Sequence, residues 1–87
     1  MKRWLVYILE CRDGTLYTGV TNDLPRRLAA HQRGIASKYT RARLPVRLVF
    51  REARHTRSSA LRREAFIKTL TRREKLVLLA AGKGCTA

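Results

Sequence analysis

Apolar residues run almost without a break from Trp4 to Leu9, in the order Trp-Leu-Val-Tyr-Ile-Leu. A short run rich in aromatic and β-branched types is the pattern of a strand covered on both faces, and so of the centre of a sheet. Arg12-Asp13-Gly14 is turn chemistry and Thr15–Thr21 has the composition of a second strand, so the two segments form a hairpin. Asn22 or Asp23 caps a following helix, with Pro25 in the first turn where its missing N–H is not needed; the helix runs to about Arg33 and Gly34 ends it. Ser37–Arg41 is placed as one helical turn in an otherwise irregular basic stretch. Val46–Arg51 then alternates, after Pro45, as a half-buried third strand. Ser58 or Ser59 begins a second helix through Leu70. Thr71-Arg72-Arg73-Glu74 has the spacing of a capping box, opening a short third helix through Leu79 that Gly82 stops. The order β-β-α-β-α-α predicts a compact α+β fold, with one domain over residues 1–80 and a C-terminal tail over 81–87.

The hairpin register decides which side chains meet. A two-residue Asp13-Gly14 loop pairs Tyr7 with Val20 and puts Tyr7 and Tyr17 on opposite faces of the sheet. A three-residue Arg12-Asp13-Gly14 loop, with Gly14 in the left-handed region, pairs Cys11 with Thr15, Leu9 with Tyr17 and Tyr7 with Gly19. Both phenols then share one face, and the three-residue loop is the one expected.

The chain has 87 residues, too few for two domains of ordinary size. Its 45% hydrophobic and 30% charged content excludes the composition of a disordered chain. The charge is lopsided, with 20 Lys+Arg against 6 Asp+Glu for a net of +14, which points to a polyanionic partner. No apolar run approaches the ~20 residues of a membrane span, and the N-terminal apolar run is too short and too soon polar for a signal peptide, so a cytoplasmic location is expected. Cys11 and Cys85 stand too far apart for a CxxC zinc site and are too few for a disulfide framework.

Acidic residues are scarce enough to consider one at a time. Asp13, Asp23 and Glu74 belong to a turn, a cap and a capping box, and Glu10 and Glu52 sit at strand ends. Glu64 alone lies mid-helix, bordering the stripe of Ala60 and Ile67, where it either pairs with Lys68 at i+4 or serves a metal. In the first helix, Leu24, Arg27, Leu28 and His31 occupy the i, i+3, i+4 and i+7 positions of a core-facing stripe. Arg27 either snorkels or is functional, and His31 is either a satisfied interior histidine, an exposed one, or functional. Tyr7 and Tyr17 have an equally plain explanation as cross-strand aromatics.

Val6-Tyr7-Ile8, Tyr17-Thr18-Gly19, Arg27-Leu28-Ala29-Ala30-His31 and Arg63-Glu64-Ala65-Phe66-Ile67-Lys68, in that order, resemble the motifs of the GIY-YIG nuclease family, in its small single-domain bacterial form. The resemblance covers Leu5 to about Leu79. It implies a three-stranded antiparallel sheet flanked by helices and a divalent-metal-dependent DNA endonuclease, structure- or damage-directed, using Mg2+ or Mn2+. Tyr7 and Tyr17 then match the paired tyrosines, Arg27 the catalytic arginine, His31 the histidine one turn later and Glu64 the metal-binding glutamate. The asparagine that many members carry beyond the glutamate is missing, since Asn22 is the only Asn in the chain. One carboxylate suffices for Mg2+, which keeps several waters and takes substrate phosphate as a ligand. Arg27 presents paired donors to a phosphate, and the field of Arg27, the metal and a protonatable His31 lowers a phenol toward the range of a useful base, Tyr7 in preference to Tyr17. Arg27, His31 and Glu64 are expected on the face that carries both phenols. Arg26, Lys38, Tyr39, Arg41, Arg43, Arg63 and Lys68 are the expected nucleic-acid contacts, on branched, nicked or single-stranded DNA. Without a second domain to choose a site, there is room for a protein partner that supplies specificity. The competing reading is a nucleic-acid-binding module that keeps the fold and cleaves poorly; an RNA-associated basic protein would leave Arg27, His31 and Glu64 without a reason.

Overall fold

The computed structural model describes residues 3–81. Its strands are β1 (Trp4–Cys11), β2 (Leu16–Thr21) and β3 (Val46–Arg54), and its helices are α1 (Leu24–Gln32), α2 (Lys38–Arg41), α3 (Arg57–Lys68) and α4 (Arg72–Ala81). The sheet is antiparallel in the order β2-β1-β3, so the most apolar strand is the central one, as its unbroken hydrophobic run requires.

The β1–β2 turn is the three-residue one. Tyr7 pairs with Gly19 and Leu9 with Tyr17. The Gly14 amide donates to the Cys11 carbonyl at 2.9 Å, and Gly14 itself sits at φ +83°, a conformation a side chain would strain.

Successive side chains of β1 divide the molecule into two layers. Val6 and Ile8 meet Phe50, Ala60 and Ile67, with Leu78 and Leu79 of α4 packed behind them. Tyr7, Leu9 and Cys11 meet Leu24 and Val46, with Tyr17, Leu28, Leu44 and Leu48 alongside. Helices α1 and α2 thus cover one face and α3 and α4 the other.

The structure differs from the sequence pattern chiefly in β3 and α3. Strand β3 continues to Arg54, because Glu52, Ala53 and Arg54 pair with Val6, Leu5 and Trp4 of the long central strand although their own sequence has lost its alternation. Within β3 the register slips: Ile8 faces Phe50 while Leu9 faces Leu48. That bulge turns Phe50 onto the α3 side while Leu48 and Val46 stay on the α1 side, so strict alternation from Val46 to Arg51 does not hold. Helix α3 starts one turn-residue earlier than Ser58, because the extended Thr56 caps it by accepting from the Ser59 amide at 3.0 Å, and it ends at Lys68 rather than Leu70.

The capping box at the start of α4 forms in both directions, with Thr71 Oγ1 accepting from the Glu74 amide at 3.1 Å and Glu74 Oε1 from the Thr71 amide at 2.8 Å. Ala81, expected in the tail, is the last helical residue; Gly82 and the rest of the expected tail lie outside the described residues.

Candidate active site

Residue Asp23 caps α1, its side chain accepting from the Arg26 amide, and Pro25 lies in the first turn, as the pattern predicts. This start fixes the phase of the helix, so Leu24, Arg27, Leu28 and His31 all face the sheet beneath. There the two phenols project from one face. Tyr7 is 1% exposed and His31 is fully buried. The Tyr7 ring lies directly over Gly19: a Cβ at that position would fall 2.5 Å from the Tyr7 hydroxyl. Gly19 is therefore the opening that lets the phenol lie across β2.

A chain of polar groups runs inward from that hydroxyl. Tyr7 Oη and His31 Nε2 are 2.9 Å apart, and His31 Nδ1 is 2.9 Å from Thr40 Oγ1. The single hydroxyl proton of Thr40 goes to the Ser37 carbonyl at 3.3 Å, so Oγ1 accepts from Nδ1–H. The bare Nε2 then accepts from the Tyr7 hydroxyl. Burial first, and the Arg27 charge second, hold the His31 pKa below its ordinary value. That burial favours the neutral imidazole, which in this setting accepts a proton at Nε2. Burial raises the Tyr7 pKa above the usual phenol value, opposed chiefly by Arg27. The Tyr7 hydroxyl in turn pushes the Arg27 pKa further up against its burial, with Tyr17 adding to the effect.

Arg27 Nε is buried and has no hydrogen-bond partner among the described residues. A cavity of about 390 Å³ is lined by Thr21, Asn22, Asp23, Arg26, Arg27 and Ala30. Tyr17 completes the cluster, its ring 5.2 Å from His31 edge-on and 6.0 Å from Tyr39 in a stacked arrangement.

With this geometry in place, residues 3–76 match the family model described as the GIY-YIG catalytic domain. The chain belongs to this family, a family of endonucleases. A UPF0213 protein of Streptococcus agalactiae is 51% identical over 78 residues, covering 90% of this chain and 89% of the relative. A UPF0213 protein of Staphylococcus saprophyticus is 45% identical over 82 residues, covering 94% of this chain and 100% of the relative. Among solved structures, the solution NMR structure of a protein from E. faecalis is similar at a TM-score of 0.65 and 40% identity, covering 93% of this chain and 86% of that one. That of a UPF0213 protein from Bacillus halodurans is similar at a TM-score of 0.60 and 46% identity, covering 93% and 85%.

Within this GIY-YIG domain, Tyr7, Tyr17, Arg27 and His31 come together as the motifs imply. Glu64 comes from α3. Its helix packs Ala60 and Ile67 against the other side of the sheet, because α3 follows β3 and covers the Val6–Ile8 surface. Its carboxylate still acts on the Tyr7 phenol, adding slightly to the upward shift, and pairs with Lys68 at 3.4 Å. Among the described residues no group of three or more His, Cys, Asp or Glu is arranged to hold a metal. The donor set fits a Mg2+ ion bound by one carboxylate and completed by water and substrate phosphate, and it does not fit a cage of protein ligands.

Three expected DNA contacts are paired within the protein, Lys68 with Glu64 and two arginines with carboxylates of their own. Arg63 donates to both oxygens of Glu52, at 3.0 and 3.3 Å, since β3 extends far enough to bring Glu52 under α3. Arg43 donates to Asp13 Oδ2 at 3.0 Å and to the Tyr39 carbonyl at 2.9 Å. Arg26, Lys38, Arg41 and Lys68 remain exposed, and Tyr39 is partly so. Thr40, fully buried against His31 Nδ1, is the member of this cluster that pattern missed. The only signal was its place in the short Ser37-capped turn.

Proposed function

We propose that this chain is a divalent-metal-dependent DNA endonuclease of the cytoplasm, cutting branched, nicked or single-stranded DNA during repair or processing. The observation that carries the reading is the pairing of an unsatisfied Arg27 N–H with a phenol already aimed at a neutral imidazole. A phosphate docks on Arg27, whose planar fork matches two of its oxygens. Tyr7 takes the proton of the attacking water while passing its own to His31 Nε2, as the new P–O bond forms and the bond from phosphorus to the leaving oxygen breaks, that oxygen taking its proton from solvent. Burial alone makes Tyr7 a poor base, so this concerted hand-over is what the hydrogen-bond chain contributes. Thr40 keeps the imidazole in the accepting tautomer, and Tyr17 positions water or phosphate. Glu64 would hold Mg2+ or Mn2+, which when bound supplies electrophilic charge at the phosphate.

The test is incubation of purified protein with labelled branched, nicked and single-stranded DNA in Mg2+ or Mn2+, with EDTA as control. Metal-dependent nicking is the expected result. The Lys68 partner of Glu64 favours one other reading, a DNA-binding module with little cleavage of its own that relies on a protein partner. Salt-sensitive binding without nicking in either metal would select that reading.

A further inference from the structure

The aromatic cluster extends beyond the catalytic groups toward solvent. Tyr39 stacks on Tyr17 with an interplanar angle of 27°, and the guanidinium carbon of Arg43 lies 3.9 Å from the centre of the Tyr39 ring. Tyr39 is 37% exposed and the Arg43 side chain 34%. The position of Arg43 is fixed at two nitrogens, Nε by Asp13 and Nη1 by the Tyr39 carbonyl. Asp13 is itself held, accepting from the Thr15 amide at 3.1 Å and the Thr15 hydroxyl at 2.6 Å. The Arg12 amide donates to the Arg43 carbonyl at 3.0 Å, tying the β1–β2 turn to the segment after α2. A guanidinium with two nitrogens already engaged is a poor bidentate clamp for phosphate. What it offers instead is the flat cationic surface that Tyr39 leaves uncovered, and base stacking on arginine and aromatic planes is a recurring mode for unpaired nucleotides.

We propose that Tyr39 and Arg43 form a preorganised stacking subsite for one unpaired nucleobase, flanking the phosphate held by Arg27. Its location next to the scissile phosphate rests on the nuclease reading, because Tyr17 links the stack to His31 and Arg27. A base inside an intact duplex has no free face to offer, so the subsite selects DNA with a single-stranded or flipped nucleotide at the cut. Stacking is indifferent to base identity, so the selection is by structure and not by sequence.

The test uses a short single-stranded oligonucleotide containing 2-aminopurine, and the same oligonucleotide in a duplex, both in EDTA so that cleavage plays no part. Titration of the full chain is expected to quench the probe in the single strand and to leave the duplex signal little changed. Tyr39→Phe should keep the quench. Tyr39→Leu, which still packs on Tyr17, and Arg43→Lys, which keeps the charge, should each lose it and weaken single-strand binding by about tenfold. The salt slope should be the same in all of these proteins, because none loses a positive charge; Lys38→Ala should lower it by about one ion. Wild-type quenching and affinity in both Tyr39→Leu and Arg43→Lys, or equal quenching in the duplex, would overturn the proposal. Absence of cleavage in metal would overturn the nuclease reading and leave this result standing.

Discussion

The two faces of the sheet are built on opposite principles. Under α3 and α4, Val6, Ile8, Phe50, Ala60 and Ile67 form an apolar layer that, among the described residues, buries no titratable side chain. Under α1 and α2, an equally buried layer contains a phenol, an imidazole and a threonine hydroxyl joined by hydrogen bonds. Burying polar groups is costly unless each is satisfied, so the second face gives up stability that the first must supply. The division lets the chemistry sit in a buried setting without placing a titratable group among Val6, Ile8, Phe50, Ala60 and Ile67.

The comparison breaks most visibly if the apolar face is emptied. Phe50→Ala should destabilise the fold by about 3–5 kcal/mol, measured by denaturant unfolding, and lower activity only in proportion to the unfolded fraction. Arg27→Ala should do the reverse, lowering the cleavage rate by about 10²–10³-fold while leaving the unfolding midpoint and most of the DNA affinity in place. A near wild-type cutting rate for Arg27→Ala would remove the proposed phosphate site from the α1 face.

A finer comparison uses one substitution on both faces. Thr40→Val leaves the His31 Nδ1–H without its acceptor and should cost about 1–3 kcal/mol. Thr18 pairs with Ile8 on the apolar side, and its Oγ1 has no partner among the described residues, so Thr18→Val should be neutral or stabilising by about 1 kcal/mol. Equal losses from the two would show that the hydrogen-bond chain is not what distinguishes the faces.

The pH dependence gives the smallest and most specific effect. Because the folded His31 pKa lies below the unfolded value near 6.5, the unfolded chain binds the proton first as pH falls. Stability should therefore decline from about pH 6.5 downward until the folded imidazole also titrates, and His31→Gln should flatten this decline. Tyr7 acts at the other limit: its raised pKa means that the unfolded phenol ionises first, and stability falls above about pH 10. Unchanged pH profiles of unfolding in His31→Gln would show that the imidazole is not held neutral.

The elements that local chemistry dictates are those the amino-acid order settles by itself. A continuous apolar run makes β1 central, the Asp23 and Thr71 caps start α1 and α4, and Arg12-Asp13-Gly14 sets the hairpin register that brings Tyr7 and Tyr17 to one face. These depend on periodicity, turn geometry and neighbours within about four residues, which a sequence displays directly. Four motifs in order also sufficed for the family and for the meeting of Tyr7, Arg27 and His31. The tertiary structure alone decided that the Glu64 carboxylate acts on Tyr7 from α3, that Thr40 meets the imidazole, that β3 slips between Leu48 and Phe50, and that Arg43 and Arg63 are engaged with Asp13 and Glu52. Each of these depends on which elements pack together across the sheet, and such partners lie too far apart in the chain for any local pattern to specify.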